Sequence, residues 1–294
     1  MDDFESLRIF VCVARELSVT GAARRLGKSP SNVTTKLQKL EASLGIDLLV
    51  RTGKRISLSH SGEMFLDYAE KLLALRAESM HVVTGGRAPG TIRIGSMEAT
   101  AASRLPDCLA SFDAAFPEVR LELRTGPSMT LMDDVRSGRI DCAFLAIPPS
   151  FLGSEWSDRL EVLDLVFQDA WEESLLLLSP KGIADLQDST LRTLAAFPPG
   201  CTYRRIAEET LNLPESDDWT VQETSSYHVM VALASTGRCV TVLPESVLDT
   251  MKIPETLDVT PLCRVKTQLA WRKGYETPAF SQFLSHLSGA GLGR

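Results

Sequence analysis

Apolar and polar positions recur at helical spacing through the first sixty residues, most sharply across Pro30–Leu44. At 100° per residue, Leu37, Leu40 and Leu44 all fall within about 40° of Val33, so the four share one stripe. Ser31, Thr35 and Gln38 fall on the opposite side, with Thr34 at its margin. A helix of this kind buries one face and offers hydroxyl and amide groups on the other, chemistry suited to base edges in a major groove. Its ends are marked as well. Ser29 suits an N-cap, Pro30 sits where a missing N–H costs nothing, and Gly45 follows the last apolar residue. Thr34 and Thr35 together cost about 1 kcal/mol of helix propensity against Ala, a cost that makes sense if they touch bases or phosphates. Ala22-Ala23 and the stop at Leu26-Gly27 indicate a preceding helix. Taken alone, the pair also fits an ordinary helical bundle.

The segment after this helix shifts the balance. Leu48-Leu49-Val50 leads into Arg51-Thr52-Gly53-Lys54-Arg55 and then Ile56-Ser57-Leu58-Ser59, a short hairpin with a basic, glycine-containing tip. Positive charge beside such a helix supplies phosphate affinity, and an arginine fits a narrow minor groove. Residues 61–85 then read as one long helix, with Phe65, Tyr68, Leu72, Leu75, Ser79 and Val82 at three- and four-residue intervals. That stripe is too long to bury against a sixty-residue head, so it predicts a linker helix pairing with its twin. Gly85-Gly86-Arg87-Ala88-Pro89-Gly90 reads as a hinge.

Beyond the hinge, strands alternate with helices. Strands are predicted at 91–95, 119–123 and 141–145, with helices at 101–116 and 131–138 between them. A second set comes next: strands at 174–178, 220–222 and 239–243 with helices at 204–211 and 226–235, then a strand at 268–272 and a helix at 279–287. Repetition of this kind implies a mainly parallel sheet, here in two similar halves. Ligands in such sheets sit beyond the carboxyl ends of strands, where helix starts aim amides at them. The residues that meet this condition are Ser96, Met97, Glu98 and Thr100; Thr125 and Ser128; Cys201, Thr202, Tyr203 and Arg204; and Glu223 with Ser225. Hydroxyls at helix starts are also plain caps. Glu98 and Arg204 in one cleft would hold an ammonium and a carboxylate, favouring an amine or amino-acid-like effector.

Charge is unevenly spread. Residues 1–60 hold ten Lys/Arg and six Asp/Glu, whereas the whole 294-residue chain carries −7, leaving the remainder at −11. A basic head on an acidic body fits local DNA contact by one domain. No run of eighteen apolar residues occurs, and the N-terminus is acidic rather than signal-like, so the expectation is a cytoplasmic protein without a membrane span. Six scattered cysteines without a C-x-x-C pair read as free thiols, with Cys201 alone near the candidate ligand segments. There is no G-x-S-x-G elbow, P-loop or H-E-x-x-H, the four histidines are far apart, and neither a metal nor a cofactor is expected. Gly289-Ala290-Gly291-Leu292-Gly293 has no helix after it and reads as a tail; Asn32-Val33-Thr34 matches a glycosylation sequon but lies inside the recognition helix.

The run from Ser18 through Ala22-Ala23, Leu26, Ser29-Pro30-Ser31, Val33, Leu37, Leu40-Glu41, Leu44-Gly45, Leu48-Leu49 and Arg51, continuing to Leu58-Ser59 and Ser61-Gly62, resembles the N-terminal domain of LysR-type transcriptional regulators. Departures are mild: Leu49 stands for the usual Phe, Ser59-His60-Ser61 for Thr-x-Ala, and Thr35 where many members are basic. The resemblance implies an all-α winged helix-turn-helix domain at 1–60 and a dimerising linker helix at 61–86. An α/β two-subdomain, periplasmic-binding-protein-like effector domain then occupies 87–294. Its subdomains would be about 91–166 with 266–294, and about 167–265, the chain crossing between them near Phe167 and Val265. It implies a DNA-binding regulator acting as dimer or dimer of dimers, with promoter DNA, a small-molecule effector and, for an activator, RNA polymerase as partners. The expected DNA-binding residues are then the capping Ser29, with Pro30, Ser31, Thr34, Thr35 and Gln38 approaching bases, and Lys36, Lys39, Arg51, Lys54 and Arg55 serving phosphates or the minor groove. The competing reading is an α/β small-molecule-binding protein or enzyme whose N-terminal bundle contacts another protein.

Overall fold

In the first sixty residues three short helices converge on one apolar centre, and the caps explain where each begins and ends. The computed structural model describes residues 4–52, 55–83, 90–148, 164–183, 191–213 and 218–289. Helix α1 is Phe4–Glu16, α2 is Val19–Leu26 and α3 is Pro30–Leu44. Ser18 Oγ accepts from the Gly21 amide at 3.1 Å and Ser29 Oγ from the Asn32 amide at 3.2 Å, so both later helices start on a hydroxyl cap. Gly45 ends α3 at φ 70°, the left-handed conformation that glycine takes at least cost. Ile9, Phe10 and Val13 of α1, Ala22 and Ala23 of α2, and Val33, Leu37 and Leu40 of α3 are all buried together.

Strands β1 (Leu49–Thr52) and β2 (Arg55–Leu58) form the hairpin, pairing antiparallel from Leu49 opposite Leu58 to Thr52 opposite Arg55. Helix α4, His60–Val83, begins at once. Its start is constrained: a Cβ on Gly62 would collide with the Leu48 carbonyl oxygen, an oxygen already accepting from the Ser59 amide at 2.9 Å. The helix has two apolar faces. Phe65, Leu66, Ala69 and Leu73 pack on the head, with Phe65 5.5 Å from Phe10, and Arg15 Nη2 meets the buried Glu70 at 2.9 Å. Met64, Tyr68, Leu72 and Leu75 remain exposed. Phe65 therefore belongs to the head core rather than to the outward stripe in which its spacing placed it. Residues 84–89, which include most of the expected hinge, and the expected tail from residue 290 lie outside the described residues.

The second unit, residues 86–136 and 140–294, is built on an eight-stranded sheet. Its first half holds β3 (Thr91–Ser96) between β4 (Arg120–Thr125) and β5 (Cys142–Ala146), all parallel. The second half holds β7 (Thr193–Ala196) between β8 (Thr220–Glu223) and β9 (Val240–Pro244), again parallel. Two sixteen-residue strands, β6 (Leu165–Pro180) and β10 (Leu257–Arg272), run antiparallel down the middle and join the halves. β10 pairs with β5 along Thr267–Trp271, and β6 pairs with β9 along Leu175–Leu178. Phe167 and Val265, the expected crossing points, both lie within these long strands.

Helices α5 (Glu98–Ser103), α6 (Leu105–Ala115), α7 (Ser128–Arg136) and α11 (Pro278–Gly289) belong to the first half. Helices α8 (Thr202–Thr210), α9 (Tyr227–Ser235) and the short α10 (Glu245–Leu248) belong to the second. Ile92, Ile94, Phe112, Phe144 and Phe283 centre one core, with Phe112 and Phe283 edge-on at 5.2 Å; Leu178, Leu194, Val240 and Leu243 lie in the other. The single helix expected at 101–116 is two helices. Pro106 has no N–H to give Ala102 and its ring would crowd that carbonyl, so α5 stops and α6 starts with proline in its first turn. Strand β7 had no counterpart among the strands expected from sequence, because four residues of Thr-Leu-Ala-Ala carry no alternation.

Gly62→Ala is expected to destabilise the head by about 1–3 kcal/mol through the forced shift of α4 against Leu48, read as a lower denaturant midpoint for the head with the effector unit unchanged.

Candidate nucleic-acid interface and effector cavity

The stripe on α3 fixes which side chains reach solvent. With Val33, Leu37 and Leu40 buried, Ser29, Pro30, Ser31, Asn32, Thr35, Gln38 and Lys39 are exposed and Thr34 and Lys36 half-buried. Thr34 Oγ1 donates to the Pro30 carbonyl at 3.0 Å and Thr35 Oγ1 to the Ser31 carbonyl at 2.9 Å. Each hydroxyl proton is thus spent on the helix, which leaves an oxygen lone pair and a methyl group to face outward. Asn32, noticed in the sequence only as part of a sequon, stands on the same exposed turn and carries the donor-acceptor pair that matches adenine.

Two further residues organise this face. Glu41 Oε1 accepts from the Leu48 amide at 2.9 Å and the Leu49 amide at 3.1 Å, so one carboxylate of α3 pins the start of the hairpin. Glu5 of α1 meets Lys28 Nζ at 2.5 Å and Lys36 Nζ at 2.9 Å, and these two ammonium groups hold its carboxyl below the usual carboxylate range. Neither role was legible locally: the partners lie in other elements. Arg51 and Arg55 fall in β1 and β2; Lys54 lies outside the described residues.

In the second unit, a cavity of about 230 Å³ opens where strand ends and helix starts meet. Of the residues proposed from sequence, it is lined by Met97, Glu98, Thr125, Ser128, Cys201, Tyr203 and Ser225. Gly126, Pro127, Phe197, Pro198 and Tyr227 complete the wall. Phe197 and Pro198 come just after β7, so missing that strand meant missing the loop; Phe197 stands edge-on to Tyr227 at 4.8 Å. Helices α7, α8 and α9, nine residues each, all begin at the wall.

The remaining five lie outside the lining, each for a visible reason. Ser96 Oγ donates to the Met97 carbonyl at 2.9 Å, and Thr100 is buried behind it. Thr202 Oγ1 donates to the Ala146 carbonyl at 2.6 Å and sits 3.0 Å from Ser128 Oγ, bracing the two halves from beneath. Arg204 turns away from the cavity. Its Nε meets Glu208 at 2.7 Å, and its Nη1 meets Glu223 at 2.7 Å and the Phe197 carbonyl at 3.1 Å. Two carboxylates therefore neutralise the guanidinium, and the pairing of Glu98 with Arg204 across one cleft does not form.

Glu98 is exposed at the rim and makes no ion pair among the described residues. Among the described residues no Lys, Arg or His lines the cavity. Burial pushes the Tyr203 and Tyr227 phenols upward, so both stay protonated. Burial also raises the Cys201 thiol, against the opposing pull of the Arg204 and Tyr203 amides, so this sulfur is a neutral wall rather than a thiolate nucleophile. The described cysteines are free, and no group of three His, Cys, Asp or Glu among the described residues could hold a metal ion.

A winged helix-turn-helix head and a separate α/β unit with a cavity between its halves define a DNA-binding protein with a ligand-receiving domain. Comparison with known proteins gives the family. The model of the bacterial regulatory helix-turn-helix protein, lysR family, matches residues 4–63, and that of the LysR substrate binding domain matches residues 85–291. The HTH-type transcriptional regulator YusT of Bacillus subtilis is 31% identical over 272 residues, covering 91% of this chain and 88% of its own. GltR of the same organism is 30% identical, with 97% and 96% covered. Among solved structures, a full-length OxyR variant of Pseudomonas aeruginosa aligns with a TM-score of 0.67 at 20% identity, covering 97% and 94%. CbnR complexed with its target DNA gives a TM-score of 0.63 at 19% identity, covering 98% and 100%. The chain belongs to the LysR family of transcriptional regulators. It is a DNA-binding regulator with an effector-binding domain, not an enzyme, and the family binds promoter DNA and forms oligomers. No helix among the described residues is long and apolar enough to cross a membrane.

Glu41→Ala leaves two backbone amides without their acceptor; the expected cost is about 1–3 kcal/mol to the head, seen in urea unfolding, with weaker duplex binding in the same variant.

Proposed function

We propose that this regulator responds to an amino-acid-like effector, and that the Glu98 carboxylate, with no ion pair and no cationic side chain in the cavity wall among the described residues, carries the reading. An ammonium group entering the cavity pairs with Glu98. A carboxylate on the same ligand is held by backbone amides at the starts of α7, α8 and α9, where three helix dipoles favour negative charge. Arg204, committed to Glu208 and Glu223, has no part in it. Phe197, Tyr227, Met97 and Pro127 give the apolar body of the ligand its wall.

On the DNA, Pro30, Ser31, Thr34, Thr35 and Gln38 approach major-groove bases beside the capping Ser29, and Lys39, Arg51, Lys54 and Arg55 serve phosphates or the adjacent minor groove, joined by Lys36 once an operator draws it from Glu5. The outward row Met64, Tyr68, Leu72 and Leu75 on α4 pairs with the same row of a second copy, which sets two heads at a fixed spacing. Effector binding changes closure of the two halves about β6 and β10, and that change alters the spacing of the heads through α4. The setting is the cytoplasm, with RNA polymerase a further partner where the protein activates.

Thermal shift of the full chain against the natural amino acids and their amine and carboxylate halves tests the effector class. A cognate amino acid at a hundred times its Kd stabilises the folded state by about 2.7 kcal/mol. Glu98→Gln abolishes that shift without lowering the unliganded melting temperature. Stabilisation by carboxylates alone, undisturbed in Glu98→Gln, contradicts the assignment. Replacing Leu72 with Glu on the outward row of α4 is expected to halve the mass seen by light scattering or to lower the oligomeric order by one step.

A further inference from the structure

We propose that Glu5 is an anionic guard on the DNA-binding face: it withholds the charges of Lys28 and Lys36 from phosphate and keeps affinity for duplex of arbitrary sequence low. The proposal rests on α3 facing DNA, as proposed for this regulator. Glu5 lies at the start of α1, away from the recognition helix in sequence, yet its two carboxylate oxygens take one ammonium each: Oε1 meets Lys28 at 2.5 Å and Oε2 meets Lys36 at 2.9 Å. Lys28 directly precedes the N-cap Ser29, and Lys36 lies between the exposed Thr35 and the buried Leu37. Both lysines therefore flank the polar face of α3, and both are bound to an acid that is itself exposed enough to meet a phosphate. Lys39, one helical turn further along α3, is exposed and makes no ion pair among the described residues.

The consequence comes from charge. A phosphate that approaches either lysine competes with a charge-assisted contact already formed and is repelled by the carboxylate beside it. Binding to arbitrary sequence consists almost wholly of such phosphate contacts, so it loses what Glu5 withholds. Binding to an operator adds base contacts from the same helix and can bear the exchange, which widens the ratio between specific and non-specific affinity. The depressed carboxyl of Glu5 keeps this acid charged at neutral pH.

The test is fluorescence anisotropy of the full chain on a short mixed-sequence duplex across a salt series. Glu5→Gln is expected to bind severalfold tighter at low salt, with the slope of log K against log salt steeper by about one to two units. The double variant Lys28→Gln/Lys36→Gln, made with Glu5 intact, is expected to leave both quantities near the parent, whereas adding Lys36→Gln to Glu5→Gln takes back about one unit of slope. Unchanged or weaker binding by Glu5→Gln overturns the proposal, as does a loss of slope from the lysine variants while Glu5 is present. Lys39→Gln separates the two layers: it should reduce the slope by about one unit in both backgrounds, and if it does not, α3 is not the DNA face and the guard falls with it.

Discussion

Burial of Val33, Leu37 and Leu40 on one side of a fifteen-residue helix is the constraint from which the head takes its function. Once those side chains enter the common centre with Ile9, Phe10 and Val13, the helix cannot rotate, because a turn of its axis would expose buried apolar surface at roughly 25 cal/mol per Å². Ser31, Thr35 and Gln38 are then outward by geometry rather than by any attraction of their own. Glu41 extends the constraint to the hairpin, since the carboxylate that binds the Leu48 and Leu49 amides sits on the same helix. Gly62 extends it to α4, which lies against the Leu48 carbonyl. Helix α3, the hairpin and α4 are thus set by one apolar stripe, one carboxylate and one glycine.

The second unit solves a different problem. Two parallel half-sheets, each needing helices on its faces, are joined by two long antiparallel strands. Joining them this way brings the starts of α7, α8 and α9 to one cavity although they lie far apart in sequence. Three positive helix ends facing a cavity without a cationic side chain among the described residues, and one exposed carboxylate at its rim, make a site with separated regions of opposite sign. A ligand bearing both signs matches that arrangement better than a simple anion or cation does. The cavity wall mixes residues from both halves, so the ligand's contacts depend on how far the halves close.

Legibility in the sequence tracked the range of the interactions. Caps at Ser18 and Ser29, the left-handed Gly45, the stripe on α3 and the hairpin are local, and each could be read from neighbouring residues. Features set by distant partners could not. Phe65 has the spacing of the outward row, but Phe10 draws it into the head core. Arg204 stands at a helix start beside the cavity, yet Glu223 from another strand turns it aside. Lys36 reads as a free phosphate contact until Glu5, thirty-one positions earlier, is seen to hold it. Strand β7 is too short and alanine-rich to announce itself, which hid Phe197 and Pro198. The break before α6 is the exception: Pro106 was visible and is enough to end a helix.

Photo-crosslinking measures the central orientation most directly. A benzophenone side chain at Gln38, and separately at the exposed His228 of α9, would be irradiated with the full chain bound to duplex DNA. An α3 that faces DNA gives a protein–DNA adduct from position 38 and none from position 228, with the position-38 adduct lost as salt dissociates the complex. Equal yields from the two positions, or an adduct from α9 alone, would contradict it.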